Sequence, residues 1–133
     1  MPVFVDTNIV VHAFGEDAAK KVKARALLAG HPTISTQVIN EFLNVCRVKL
    51  NIDVATRHRL AMEMIAGCDV VNVNTAVVEQ AMVIEARYGL NYWDCLILAA
   101  ALLAGCDILY SEDMQDGLVI DGRMTVANPF SFG

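Results

Sequence analysis

The sequence predicts an α/β domain built on a parallel sheet with helices covering both faces. Three observations carry that prediction. Short apolar runs of strand length alternate with longer stretches of helical periodicity, the pattern of βαβ units. The longer stretches open on capping residues (Asp17, Ser35, Asp53, Asn74, Asn91) and stop at glycines (Gly30, Gly67, Gly89, Gly105). Of the 133 residues, 56% are hydrophobic, and no Gly/Ser/Pro-rich linker, low-complexity run or repeat divides them. A single domain over residues 1–133 can therefore bury a core without disulfides.

The first strand is Val3-Phe4-Val5, which stops on Asp6-Thr7-Asn8. In an open α/β sheet the carboxyl ends of the strands form the ligand crevice, so Asp6 stands at a chemically useful edge. It reads equally as the N-cap of a short apolar helix over residues 9–14. Asp17 caps a helix over residues 18–29, whose Lys20, Lys21, Lys23 and Arg25 read as a solvated face, with RNA contact the alternative. Residues 33–35 form a short strand, and Ser35 or Thr36 caps a helix over residues 37–50. Its apolar stripe is Val38, Ile39, Phe42, Leu43, Val45, Cys46 and Leu50. Gln37, Glu41 and Asn44 lie opposite, with Glu41 near the edge of the stripe.

Asp53 caps a third long helix ending near Ala66, and residues 70–73 form the next strand. A helix then runs from Asn74 or Thr75 to Tyr88. Residues 91–105 are apolar all round, as a buried helix is, and Asp94 in the first turn is their only charge. With Asn91 as cap, Asp94 falls at the capping-box position, where Glu or Gln is the usual choice. Asp107 opens a strand over residues 108–110 that delivers Ser111, Glu112, Asp113 and Asp116 at its carboxyl end. The last strand covers residues 124–127.

Composition narrows the function. A net charge of −5 argues against a non-specific nucleic-acid binder, which would lean on Lys and Arg. The four cysteines stand at wide spacings with no CxxC or Cys/His cluster, so reduced core thiols are expected and zinc is not. The longest uncharged apolar run, residues 95–106, falls short of the roughly 20 residues of a membrane span. No basic residue precedes the N-terminal apolar run, which therefore does not read as a signal peptide. A cytoplasmic protein without a membrane partner is the expectation.

The acids then converge. Asp6 and Asp113 both follow apolar strands, Asp94 heads a helix that packs on the sheet, and Glu41 can reach the same edge from its helix. Four carboxylates in a partly buried cleft repel one another and resist desolvation unless cations offset them. An all-oxygen set with no His or Cys favours magnesium or manganese. Such an ion can bridge phosphate oxygens and acidify a bound water.

Val3-Phe4-Val5-Asp6-Thr7-Asn8, Ser35 to Glu41, Tyr92-Trp93-Asp94 and Tyr110-Ser111-Glu112-Asp113 resemble, in order and spacing, the four acidic motifs of PIN-domain nucleases. More narrowly they are similar to the VapC-type toxins of bacterial toxin–antitoxin pairs, and the resemblance spans essentially the whole chain. It implies a PIN-like three-layer α/β/α domain and a magnesium-dependent endoribonuclease, manganese substituting, that leaves a 5′-phosphate and a 3′-hydroxyl. By the same resemblance Asp6, Asp94 and Asp113 would hold the metal, and Glu41 would be a ligand or orient the attacking water. Asn8 and Ser111 would steady carboxylates or waters. For the fourth acid Asp113 fits best, with Glu112 and Asp116 close enough to share or take its role. No Lys or His occupies an obvious general-acid position. The implied partners are an RNA substrate, a second copy of the chain and a small antitoxin; Lys20, Lys21, Lys23, Arg47 and Lys49 are candidates to help hold the RNA, and the sequence does not place them. The antitoxin groove would lie on the early helices, where Phe14, Leu27, Leu28, Phe42 and Leu43 read first as core.

Two rivals share a strand-end Asp. A haloacid-dehalogenase-type phosphatase needs a second Asp two residues on, where this chain has Asn8. A phosphoryl-accepting receiver domain wants an acidic pair near the first strand and a late Lys. Here Glu16-Asp17 is misplaced, and no Lys follows Lys49. A PIN fold that binds without cleaving is a third reading, disfavoured by the intact acids.

Overall fold

The computed structural model describes residues 2–131. Its centre is a six-stranded sheet, and helices flank it. In chain order the elements are β1 (Val3–Val5), α1 (Thr7–His12), α2 (Ala18–Ala29), β2 (Thr33–Ser35), α3 (Thr36–Val48) and α4 (Val54–Gly67). There follow β3 (Asp69–Val71), α5 (Thr75–Tyr88), α6 (Tyr92–Leu103), β4 (Ile108–Tyr110), β5 (Val119–Ile120) and β6 (Met124–Ala127). The strand order is β3-β2-β1-β4-β6-β5, parallel except for the edge strand β5.

That order places the site. From β1 the chain builds outward through β2 and β3, then returns to lay β4 on the other flank of β1. The reversal opens a crevice at the carboxyl ends of β1 and β4, where ligands bind in sheets of this class. The register pairs Val5 with Tyr110, and Asp6 donates its N–H to the Tyr110 carbonyl at 2.9 Å. Asp6 and Ser111 therefore leave the sheet side by side.

The core explains why such short strands persist. Phe4, Val5, Ile34, Leu109 and Val126 are buried, and every residue of α6 from Cys95 to Leu102 is buried with them. α1 packs against α2 and α3, α3 against α4, and α5 against α6. All four cysteines are free and buried. Among the described residues no helix is long and apolar enough to cross a membrane.

Several boundaries move from the sequence expectation. α1 begins at Thr7, because Asp6 caps it directly, and ends at His12 rather than Phe14. α3 starts at Thr36 with Ser35 as its cap, and it ends at Val48 rather than Leu50. Gly67 is the last residue of α4 rather than its stop, and β3 is drawn back to begin at Asp69. The two-residue strand β5 has no counterpart in the sequence expectation. It is closed onto β6 by a turn in which Asp121 (φ 52°) and Gly122 (φ 64°) are both left-handed, with Arg123 N–H donating to the Ile120 carbonyl at 3.0 Å. Asp-Gly is a strong short hairpin signal, so the residues to predict it are present.

Candidate active site

Asp6 does cap α1: its backbone is extended and its Oδ1 accepts the Thr7 N–H at 2.7 Å. Its second oxygen has other company. Oδ2 accepts the Ser111 hydroxyl at 2.8 Å and the Asn8 amide at 3.2 Å. A cap has no need of those partners.

Asn8 ties the two strand ends together. Its Oδ1 accepts the backbone N–H of Glu112 at 2.9 Å, and since a backbone amide can only donate, this sets which end of the side chain is oxygen. Nδ2 then faces Asp6 Oδ2, Ser111 Oγ and Asp113 Oδ2, each at 3.2 Å. Ser111, fully buried, also accepts the N–H groups of Asp113 (3.2 Å) and Met114 (3.3 Å), which fixes the turn that carries Asp113. Two neutral side chains thus hold two carboxylates in one place.

Glu41 comes from α3 and Asp94 from the first turn of α6. Asn91 caps α6 through the Trp93 N–H at 2.9 Å, and among the described residues Asp94 makes no capping-box bond back to it. Asp94 instead lines a cleft of about 250 Å³ together with Asp6, Thr7, Asn8, Val11, His12, Glu41, Val45, Lys49 and Asp113. All four sequence-predicted acids are there.

Their electrostatics are those of a site short of positive charge. Burial pushes the Asp6 carboxyl up, the hydrogen bonds from Ser111 and Thr7 oppose the rise, and the charges of Asp94 and Asp113 add to it. Glu41 is raised by burial first and then by Asp6, with the Gln37 amide at 3.4 Å working the other way. Asp94 is raised by burial and by Asp113. Each of these acids is held above its ordinary range, mainly because water has been removed from it.

Glu112 and Asp116 are drawn elsewhere. Glu112 bonds His12 Nε2 at 2.7 Å and the Lys20 ammonium, and although burial would raise its carboxyl, these two partners hold it below the ordinary range. Phe130 packs edge-on to the His12 ring at 5.0 Å and beneath Lys20 at 5.4 Å. Asp116 accepts the Asn128 N–H at 2.8 Å. Neither lines the cleft.

Two polar lining residues, His12 and Thr7, escape the sequence reading as site residues, and the apolar Val11 and Val45 line the cleft beside them. His12 sits four residues after Asn8 on α1, so helical spacing alone places it on the same face. Its contact with Glu112 depends on β4 and has no local signal. Thr7 is 7% exposed, and its hydroxyl is a buried side-chain polar atom without a hydrogen-bond partner among the described residues.

The chain's donors fit a hard divalent cation. The cleft offers carboxylate, amide and hydroxyl oxygens, with an unpartnered hydroxyl beside Asp6. No group of three or more His, Cys, Asp or Glu among the described residues is gathered closely enough to hold an ion unaided. Magnesium does not require one: it keeps several waters and takes one or two carboxylates plus substrate phosphate.

A model of the PIN domain family matches residues 3–115. No curated protein sequence matches the chain. Among solved structures, a toxin–antitoxin complex from Klebsiella pneumoniae superposes with a TM-score of 0.70 at 24% identity, over 98% of each chain. VapC20 of Mycobacterium tuberculosis, described as a sarcin-ricin loop cleaving toxin, gives 0.62 at 22% identity over 84% of this chain and 89% of that one. VapBC2 of Rickettsia felis bound to a DNA fragment from its promoter gives 0.71 at 17% identity, over 96% and 98%. At these identities the likeness is one of fold.

Proposed function

The chain belongs to the PIN domain family, and on that premise we propose that it is a magnesium-dependent endoribonuclease acting as the toxin of a toxin–antitoxin pair. One observation carries the reading. Asp6 and Asp113 are braced by Asn8 and Ser111 at the mouth of a cleft that Glu41 and Asp94 complete, and three of these acids are held above their ordinary range.

In this reading Asp6, Asp94 and Asp113 would hold the ion, one or two of them directly and the rest through its waters, with manganese able to substitute for magnesium. When bound, the ion neutralises charge on the scissile phosphate and makes a coordinated water a better nucleophile. Asn8 and Ser111 keep Asp6 and Asp113 from swinging apart, which preserves the binding geometry between turnovers. Glu41, partly buried, orients the attacking water from the α3 side. The products are a 5′-phosphate and a 3′-hydroxyl. Glu112 and Asp116 take no part, since each is committed to another partner.

The phosphatase alternative is poorly supported, because the position that should supply its acid/base carries Asn8, whose amide donates to both acids. The receiver alternative gains nothing from a cleft lined by four acids.

The toxin assignment draws on the toxin–antitoxin complexes among the structural relatives. The antitoxin segment would dock on the face of the early helices. Of the residues the sequence put there, Phe14 and Leu28 line a largely apolar pocket of about 160 Å³ with Leu60, Met64 and Cys68, Glu63 at its border, while Phe42 is fully buried core. Homodimerisation, frequent in such toxins, belongs to the same proposal. Induction of the gene in a bacterial host tests it: growth should arrest, arrest should require Asp6, and the small open reading frame beside the gene should relieve it. Arrest that persists with Asp6→Asn would remove the catalytic reading.

A further inference from the structure

Glu41, Val45 and Lys49 follow one another at spacings of four along α3, and all three line the acid cleft. Lys49 keeps helical geometry as the C-cap residue, so the rise from Glu41 to Lys49 is about 12 Å at about 1.5 Å per residue. The cleft is therefore graded. Acids crowd one end, Val11 and Val45 supply an apolar stretch, and an ammonium stands beyond them.

Lys49 differs from the other bases nearby. It is the only Lys or Arg lining the cleft among the described residues; its backbone N–H donates to the Val45 carbonyl at 2.9 Å, and its ammonium has no hydrogen bond or ion pair among those residues. His12 and Lys20 are both committed to Glu112, and Arg47 bonds Asn44. A cation at a helix C-terminus favours the macrodipole, and that alone could explain a lysine at this position. It does not explain why the lysine borders a cleft whose other charged residues are acids, apart from the imidazole that Glu112 claims. A cleft of that kind repels a polyanion, and neutralisation at the acids would leave the neighbouring phosphates unbalanced.

We propose that Lys49 forms a phosphate-binding subsite of this cleft, holding a backbone phosphate of an RNA strand next to the scissile one while Val11 and Val45 pack against the nucleotide between. The inference rests on the ribonuclease reading above and names how that substrate is held. Lys49 is on this account a binding residue and touches no reacting atom.

Equilibrium binding decides it without cleavage. In an Asp94→Asn background, with magnesium present, a labelled single-stranded RNA of about ten nucleotides is followed by fluorescence anisotropy across a salt series. Lys49→Ala should weaken binding about five- to tenfold and reduce the log–log salt slope by about 0.7, the loss of one single-strand phosphate contact. Arg123→Ala removes one positive charge at an exposed residue outside the cleft and should leave both unchanged. In the cleavage-competent chain Lys49→Ala should raise KM on the same RNA far more than it lowers kcat. That penalty should be confined to strands carrying a flanking phosphate and vanish on a dinucleotide. Binding and salt slope equal to those of Arg123→Ala would overturn the subsite, and so would an equal penalty on the dinucleotide. Absence of any cleavage by the wild type would strike the ribonuclease reading alone, because the anisotropy series still supports or overturns the role of Lys49 by itself.

Discussion

At the scale of single residues the site turns on which carboxylates are free and which are spent. Asp113 shares the Asn8 amide with Asp6, whereas Glu112 answers to His12 and Lys20. Asp113→Asn should therefore lower RNA cleavage about a hundredfold or more, while Glu112→Gln should stay within about threefold, read from initial rates at saturating magnesium. A reversal of that order would move the fourth acid to Glu112. Asn8→Ala removes the one donor common to both strand ends, and a loss of about ten- to a hundredfold in metal affinity or rate is expected. The acids themselves are legible in the sequence because each sits at a recognisable local position: after an apolar run, in a first helical turn, or on the rim of an amphipathic stripe. The choice among Glu112, Asp113 and Asp116 is not, because it depends on Lys20, His12 and Asn128, residues from about 12 to about 100 positions away.

At the scale of elements, α3 and its C-cap residue carry two of the cleft's charges, Glu41 and Lys49, so its seating matters beyond stability. Ser35 is fully buried and caps α3 by accepting the Val38 N–H at 3.3 Å. Ser35→Ala should cost about 1 kcal/mol in chemical denaturation, within the usual range of about 0.5–2 kcal/mol for a lost cap. A change below a few tenths would mean the helix is held by packing alone. Helices are largely readable because caps, apolar stripes and glycine stops are local signals, and α2 and α5 fall where those signals put them. The strand β5 is not, since two residues have no periodicity to read. The Asp121-Gly122 turn, the Arg87–Asp121 ion pair at 2.6 Å and the grip of Tyr88, whose hydroxyl accepts the Asp121 N–H at 2.9 Å and donates to its carboxylate at 3.1 Å, hold that corner.

At the scale of the molecule the cleft sets stability against function. Asp6, Glu41 and Asp94 have folded-state pKa values above their ordinary ones, so the folded form binds their protons more tightly than the unfolded form does. Their contribution to stability is present below the unfolded values, near pH 4, and is lost as pH rises through the raised ones. Glu112 and Asp53, held below their ordinary values, act in the opposite sense and lose their contribution as pH falls. Total stability therefore mixes two trends, but the gain on adding magnesium isolates the first. The rise in Tm caused by magnesium should be near zero at about pH 4 and grow toward about pH 7, since only ionised acids bind the ion. Asp94→Asn, relieved of repulsion from Asp113, should be at least as stable as wild type without metal and should lose most of that gain. The fold class is the most legible feature of all, because alternating short apolar runs and capped helices admit few arrangements. The central claim is that this cleft cleaves RNA, and one measurement meets it directly. Purified protein is incubated with end-labelled RNA with magnesium or with a chelator, beside Asp94→Asn of native circular dichroism. Cleavage that requires magnesium and disappears in the variant is the predicted result; cleavage by Asp94→Asn at the wild-type rate, or none by the wild type, would contradict it.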